Sequence, residues 1–206
     1  FNTNGGTAIT PMTVTYDQDF TLPVAVKTGY TYSEWQLDGV TFVSGTWTGT
    51  SNITIDAIYT LNNYDIVYEN LYSTTHTNPL NYTIETPTIT LTDPTARTGY
   101  TFVGWFTALS GGTEVTEIAL GSTGHIVIYA RWLANTYTIT FNTNGGTAID
   151  PLTVTYNQSF NLDDAVKTGY TFVGWTYNAL PFTSGTWSID SDITIIASWT
   201  EWPIII

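Results

Sequence analysis

The sequence predicts a mainly β protein built from three tandem small repeats. Three observations lead there: residue types that favour strands, apolar alternation of period two, and motifs that recur at a fixed spacing. Aromatic residues make up 15% of the 206-residue chain, and Thr, Val and Ile are abundant beside them. Such side chains suit a pleated, half-buried surface. A disordered acidic chain would be poor in aromatics, so this one folds.

The repeats are explicit. Phe1–Ile9 recurs unchanged as Phe141–Ile149, and residues 1–60 align with 141–200 without a gap, more than half of the positions being identical. Thr28-Gly-Tyr30, Thr98-Gly-Tyr100 and Thr168-Gly-Tyr170 stand 70 residues apart, which reveals a more divergent middle copy. In repeat three the elements read in order. Tyr137–Phe141 places Tyr137, Ile139 and Phe141 on one face, as a half-buried strand requires. Asn142–Gly146 follows, and its Asn-Gly pair is a strong hairpin signal. Leu152–Tyr156 is the second strand, and Asp163–Lys167 has room for one helical turn. Tyr170–Trp175 is the third strand. The fourth is Ile193–Trp199, with counterparts in Ile53–Tyr59 and Ile126–Trp132; Ile, Ile, Ala and an aromatic share one face in all three. No segment sustains a helical period.

These limits place the repeats at 1–60, 64–132 and 137–200, with 201–206 as an apolar tail. The connectors 61–63 and 133–136 are short, which predicts an elongated, semi-rigid array. Repeat one lacks a counterpart of the first strand, Tyr137–Thr140. The chain opens on Phe1 inside a motif, without an initiating Met or a leader segment, and is expected to be a mature or excised piece.

Phe141–Gly146, Thr168–Trp175 and the closing Ile193–Trp199 together resemble the Listeria–Bacteroides repeat, also called the internalin-type B-repeat. The resemblance covers nearly the whole chain as three copies. Repeat two departs from it at Asn70–Thr74, where the Asn-Gly-Gly turn is expected. The resemblance implies a small β-grasp (ubiquitin-like) module in a bacterial surface protein, acting as stalk or interaction module. It brings no catalytic residues.

Charge and composition exclude several functions. The net charge is −13 and the only Lys and Arg are Lys27, Arg97, Arg131 and Lys167, so no basic surface for nucleic acid or an anionic membrane can form. No apolar run approaches the roughly 20 residues of a membrane span. The absence of Cys removes disulfides, thiolate metal sites and a Cys nucleophile. A Thr-rich, Cys-free, weakly charged chain leans towards the cell exterior.

No catalytic, cofactor or metal site is expected. His76 and His125 occur only in repeat two and read as exposed turn residues. The pairs Asp163/Asp164, Asp190/Asp192 and Glu114/Glu117 do not recur in all copies and read as solvated surface. Weak calcium binding at Asp190-Ser-Asp192 is an open alternative. Lys27, Arg97 and Lys167 repeat, and each is expected to lie over aromatics with its head on a carboxylate. Gly29, Gly99 and Gly169 should supply turns with φ > 0. Trp35, Trp105 and Trp175 read as core. Trp47 and Trp187, shared only by repeats one and three, are the candidate exposed ligand aromatics.

The ends carry the candidate assembly residues. Trp132 to Tyr137 and Trp199 to Ile204 have the same spacing, so Ile204, Ile205 and Ile206 fall in the register of a first strand, and Phe1 marks the end that lacks one. The expected partners are neighbouring copies of the protein or further repeats of a longer chain, with a host or cell-surface ligand besides. The alternative is a carbohydrate- or protein-binding module using exposed aromatics or an open sheet edge.

Overall fold

A computed structural model describes residues 1–203, and in it repeat three carries the fullest sheet. The alternating run Thr136–Asn142 pairs antiparallel with Leu152–Thr155 and parallel with Ile193–Glu201. Tyr170–Tyr177 lies on the other side of Ile193–Glu201 and folds back on Leu180–Phe182. The sheet order is therefore Leu152–Thr155, Thr136–Asn142, Ile193–Glu201, Tyr170–Tyr177, Leu180–Phe182, with Thr136–Asn142 and Ile193–Glu201 parallel. A parallel pair needs a crossover. That order is compatible with the β-grasp expectation. The helical turn expected at Asp163–Lys167 does not form: the segment is irregular, and its Asp163 carbonyl accepts the Trp175 indole N–H at 2.9 Å.

The third strand contains a bulge that period two alone does not predict. Phe172 pairs with Trp199 but Gly174 with Ser198, and Gly174 has φ +147°. The extra residue turns both Phe172 and Trp175, three apart, into the same core. Repeat one has the same shift between Tyr32 and Glu34, so Tyr32 meets Trp35.

A turn forms at the Asn-Gly pair, but not the tight hairpin that the pair signals. Asn144 and Gly145 have φ +48° and +85°, and the Gly146 N–H donates to the Thr143 carbonyl at 3.0 Å. The ladder with Leu152–Thr155 starts further on, at Ile139↔Leu152, so the turn is anchored rather than a tight hairpin. Repeat two keeps the anchors without the motif. The Asn70 amide donates to the Ala130 carbonyl at 2.7 Å, as Asn4 does to Ala57 at 2.9 Å. Trp132 Nε1 donates to the Asn70 carbonyl at 3.1 Å, as Trp199 Nε1 does to Thr143 at 3.0 Å.

The repeats build cores of the same type. Trp35 and Trp175 are buried beside Ala57 and Ala197. The packing units do not follow the repeat limits. One comprises residues 1–69, 77–92 and 106–129; the other comprises 70–76, 93–105 and 130 onward. Repeat two is thus divided. Its Ile84 packs on Gly29 of repeat one within the first unit, and its Gly99 receives Tyr156 of repeat three within the second.

Candidate functional site

Repeats one and three share more than half of their sequence but not the cover over one edge of the core. In repeat three, Thr136–Asn142 fills a slot between two strands. Ile139 is fully buried there, and Tyr137 lies against Trp187 with ring centroids 6.3 Å apart. In repeat one the parallel ladder shrinks to a single bridge, Asn2↔Asp56. The Asn2 N–H donates to the Ile55 carbonyl at 2.8 Å, and the Ala57 N–H to the Asn2 carbonyl at 2.9 Å. Beyond that bridge, residues 12–15 and 53–55 form no strand and border an open groove of about 800 Å³. Phe1, Val14, Phe20, Trp47, Asn52 and Ile53 are among its walls. Ile53 is 38% exposed where its counterpart Ile193 is 5% exposed.

A polar side chain stands at the mouth of each slot. In repeat three the Thr138 N–H donates to Asp192 Oδ1 at 2.8 Å; in repeat two the Asp65 N–H donates to His125 Nδ1 at 3.0 Å. His125 Nδ1 also lies 3.3 Å from the Asp65 carboxylate, both side chains being exposed. Asn52 holds this position in repeat one and lines the groove. Sequence reasoning passed over this role. Its signal is the polar residue immediately before each Ile-rich run: Asn52, His125, Asp192.

The second feature is the joint between successive repeats. Gly29, Gly99 and Gly169 have φ near +80°, +74° and +80°, so the expected turn conformation is present. At the first joint, a Cβ on Gly29 would sit 2.6 Å from Ile84, and the Tyr30 hydroxyl donates to Glu85. That bond to Glu85 is the main cause that raises the Tyr30 pKa. At the second joint, Tyr156 covers Gly99, and its ring meets Tyr100 edge-on at 5.5 Å. The connectors repeat the same bonds: the Asn62 N–H donates to the Gly29 carbonyl at 3.0 Å and the Asn135 N–H to Gly99 at 2.9 Å.

Some expected site residues move. Trp187 is not an exposed aromatic: it is 1% exposed, because Tyr137, Phe160 and Phe182 enclose it. Trp47 is half-exposed on the groove wall, and Phe1 stands in the same groove, 5.0 Å from the Trp35 ring. Ile204, Ile205 and Ile206 lie outside the described residues. The repeated cations do lie over rings, Lys27 over Tyr30 at 4.1 Å, Arg97 over Tyr100 at 3.7 Å and Lys167 over Tyr170 at 4.1 Å. The Lys167 head, however, donates to the Asn144 carbonyl at 3.0 Å rather than to a carboxylate. His76 is half-buried against Trp105, not an exposed turn residue. Asp192 serves as the cap on Thr138, and among the described residues no three metal-ligating side chains converge.

The model of the Listeria-Bacteroides repeat domain matches this chain three times, at residues 1–61, 64–131 and 137–200. The chain belongs to the Listeria-Bacteroides repeat family. A protein described as a Gly-rich membrane protein of Evansella cellulosilytica is 25% identical over 227 aligned positions, which cover 95% of this chain and 24% of the relative. Internalin H of Listeria monocytogenes is 37% identical over 121 positions, 53% of this chain and 21% of that protein. The chain therefore spans about a quarter of the length of these relatives.

Proposed function

We propose that the chain is an extracellular structural and adhesive module of a bacterial surface protein. Its repeats act as a stalk and extend head-to-tail by strand addition. The observation that carries this reading is the reuse of one joint: Gly29 under Ile84, then Gly99 under Tyr156, each with the same connector hydrogen bond. A joint that reuses the same glycine and the same connector bond suits a spacer, in which each repeat contacts its neighbours. The family and the named relatives, a membrane protein and an internalin, support the placement at the cell surface. No catalytic role is part of the reading. The test is small-angle scattering on chains with one, two and three repeats. The maximum dimension should rise by a constant step with each repeat; a compact particle of unchanged length would refute a stalk.

A second reading, a carbohydrate- or protein-binding module, rests on Trp47, whose half-exposed ring stands beside Phe20 in the groove. A glycan-array or cell-binding signal abolished by Trp47→Ala in a folded chain would favour it.

A further inference from the structure

We infer that the joint between repeats one and two holds a receptor for an aromatic side chain, Tyr or Trp, presented by a partner protein. The site is built on the repeated cation. In repeat two Arg97 touches two rings: its guanidinium lies 3.7 Å from the Tyr100 ring centre and 3.5 Å from that of Tyr72. Tyr72 has a left-handed backbone, φ +56°, which a bulky residue rarely adopts. It is also 65% exposed, so the place it occupies is reachable from outside. Repeats one and three keep the first ring and lack the second. Lys27 lies over Tyr30 and Lys167 over Tyr170, both at 4.1 Å. Ile66 pairs with Ile126 as Ile139 pairs with Ile193, so Tyr72 corresponds to Gly145, and by the gapless alignment to Gly5. A Cβ on Gly145 would meet Lys167 Nζ at 3.3 Å, and one on Gly5 would meet Lys27 Nζ at 4.0 Å. The glycine thus stands over the lysine head where repeat two carries a ring over the guanidinium.

In repeat one the place without a second ring is a pocket of about 490 Å³, lined by Gly5, Gly6, Lys27, Tyr30, Ile84 and Glu85 among others. That volume lies in the range of small-ligand sites and exceeds one aromatic side chain. Its walls are fixed. A Cβ on Gly6 would sit 2.5 Å from the Val26 carbonyl, so only glycine lets this segment lie so close, and the Thr7 N–H donates to that carbonyl at 2.7 Å. Ile84 packs on Gly29 and the Tyr30 hydroxyl donates to Glu85, which pins the wall that repeat two supplies. Glycine also lies over lysine in repeat three, where a full strand precedes the turn, so this arrangement does not depend on the strand that repeat one lacks. The two lysine heads differ. Lys167 Nζ donates to the Asn144 carbonyl, whereas among the described residues Lys27 Nζ makes no hydrogen bond and meets rings only, Tyr30 at 4.1 Å and Tyr59 at 5.6 Å. An ammonium so placed favours the face of another electron-rich ring, Trp or Tyr more than Phe. A neutral ring also suits the charge: an anion would meet Glu85 and the net charge of −13. Repeat two thus carries in its own chain the occupant that repeat one takes from a partner.

The test is amide chemical-shift mapping on the whole chain with a capped Gly-Gly-Tyr-Gly-Gly peptide. Shifts are expected at residues 5–7, 27–30 and 84–85. The same peptide with cyclohexylalanine in place of Tyr keeps the bulk of the side chain and loses its π face, so it should shift these signals far less. Lys27→Met keeps the stem and removes the charge, and should raise the apparent Kd roughly threefold or more. Tyr72→Gly suits the left-handed backbone at that position and uncovers Arg97, so a second set of shifts should appear at Arg97–Tyr100. Unchanged amide dispersion in the absence of peptide reports that each variant folds. Silence at residues 5–7 and 27–30, equal shifts with the cyclohexylalanine peptide, unchanged binding in a folded Lys27→Met chain, or a folded Tyr72→Gly chain without new shifts would each overturn the inference.

Discussion

Repeats one and three share more than half of their residues and end with different cores. Val154 and Ile193 are buried; Val14 is half-buried and Ile53 is exposed. Trp187 is enclosed by Tyr137, while Trp47 borders an open groove. None of these residues differs between the copies. What differs is one strand, Thr136–Asn142, that repeat three has in full and repeat one holds only at its Asn2 end. Burial here is thus set by a neighbour in space, and identical local sequence does not secure it.

The largest effects should sharpen the shared part of the comparison. Trp35 and Trp175 are 1% and 4% exposed, and both indole N–H groups donate to backbone carbonyls. Trp35→Ala and Trp175→Ala should each cost about 3–5 kcal/mol in urea unfolding. The second Trp of each repeat should break the symmetry. Trp187→Ala should cost nearly as much, whereas Trp47→Ala should cost roughly 1–2 kcal/mol, since part of its surface already meets water. Equal losses at Trp47 and Trp187 would mean that the groove of repeat one is closed in solution.

The sequence made strands legible where alternation was strict and a neighbour is present: Ile126–Trp132, Ile193–Trp199 and Tyr137–Phe141 lie where the period places them, whereas in the matching run Ile53–Tyr59 the strand begins only at Asp56. The third strand was legible in position but not in register, because a bulge between Phe172 and Gly174 breaks the period that located it. The short Leu180–Phe182 strand carries too few residues to show a period at all. The site was legible from one side. The missing first strand of repeat one follows from alignment alone. That Trp187 is buried does not, because Ser-Gly-Thr-Trp reads the same at Trp47 and Trp187 and the covering Tyr137 is fifty residues away.

A smaller effect should separate the slot mouths. Asp192 accepts the Thr138 N–H in an occupied slot, so Asp192→Ala should cost about 1 kcal/mol and speed amide exchange at Thr138. Asn52→Ala should leave the unfolding of an isolated chain unchanged within about 0.5 kcal/mol, since no strand is yet there to cap. A matching loss at both positions would assign Asn52 a partner within its own repeat and remove the analogy between the two mouths.

The smallest difference is one of pH. Repeat one places Tyr32 and Tyr59 where repeat three places Phe172 and Trp199. Burial raises the Tyr32 pKa above its ordinary value near 10, with the charges of Glu34 and Tyr59 adding to it, and burial alone raises that of Tyr59. A phenol whose native pKa is raised holds its proton more tightly folded than unfolded. Its contribution to stability is therefore complete below the unfolded value near pH 10 and is lost as the pH rises through the native one. Repeat one should accordingly weaken above about pH 10, and the double variant Tyr32→Phe/Tyr59→Trp should move that loss to higher pH. The measurement is an alkaline titration that follows amide signals from Tyr30–Leu37 beside those from Tyr170–Tyr177. An unchanged midpoint for Tyr30–Leu37 in the double variant would show that the two phenols do not set the alkaline limit of repeat one, and would shift the cause to the uncovered groove beside them.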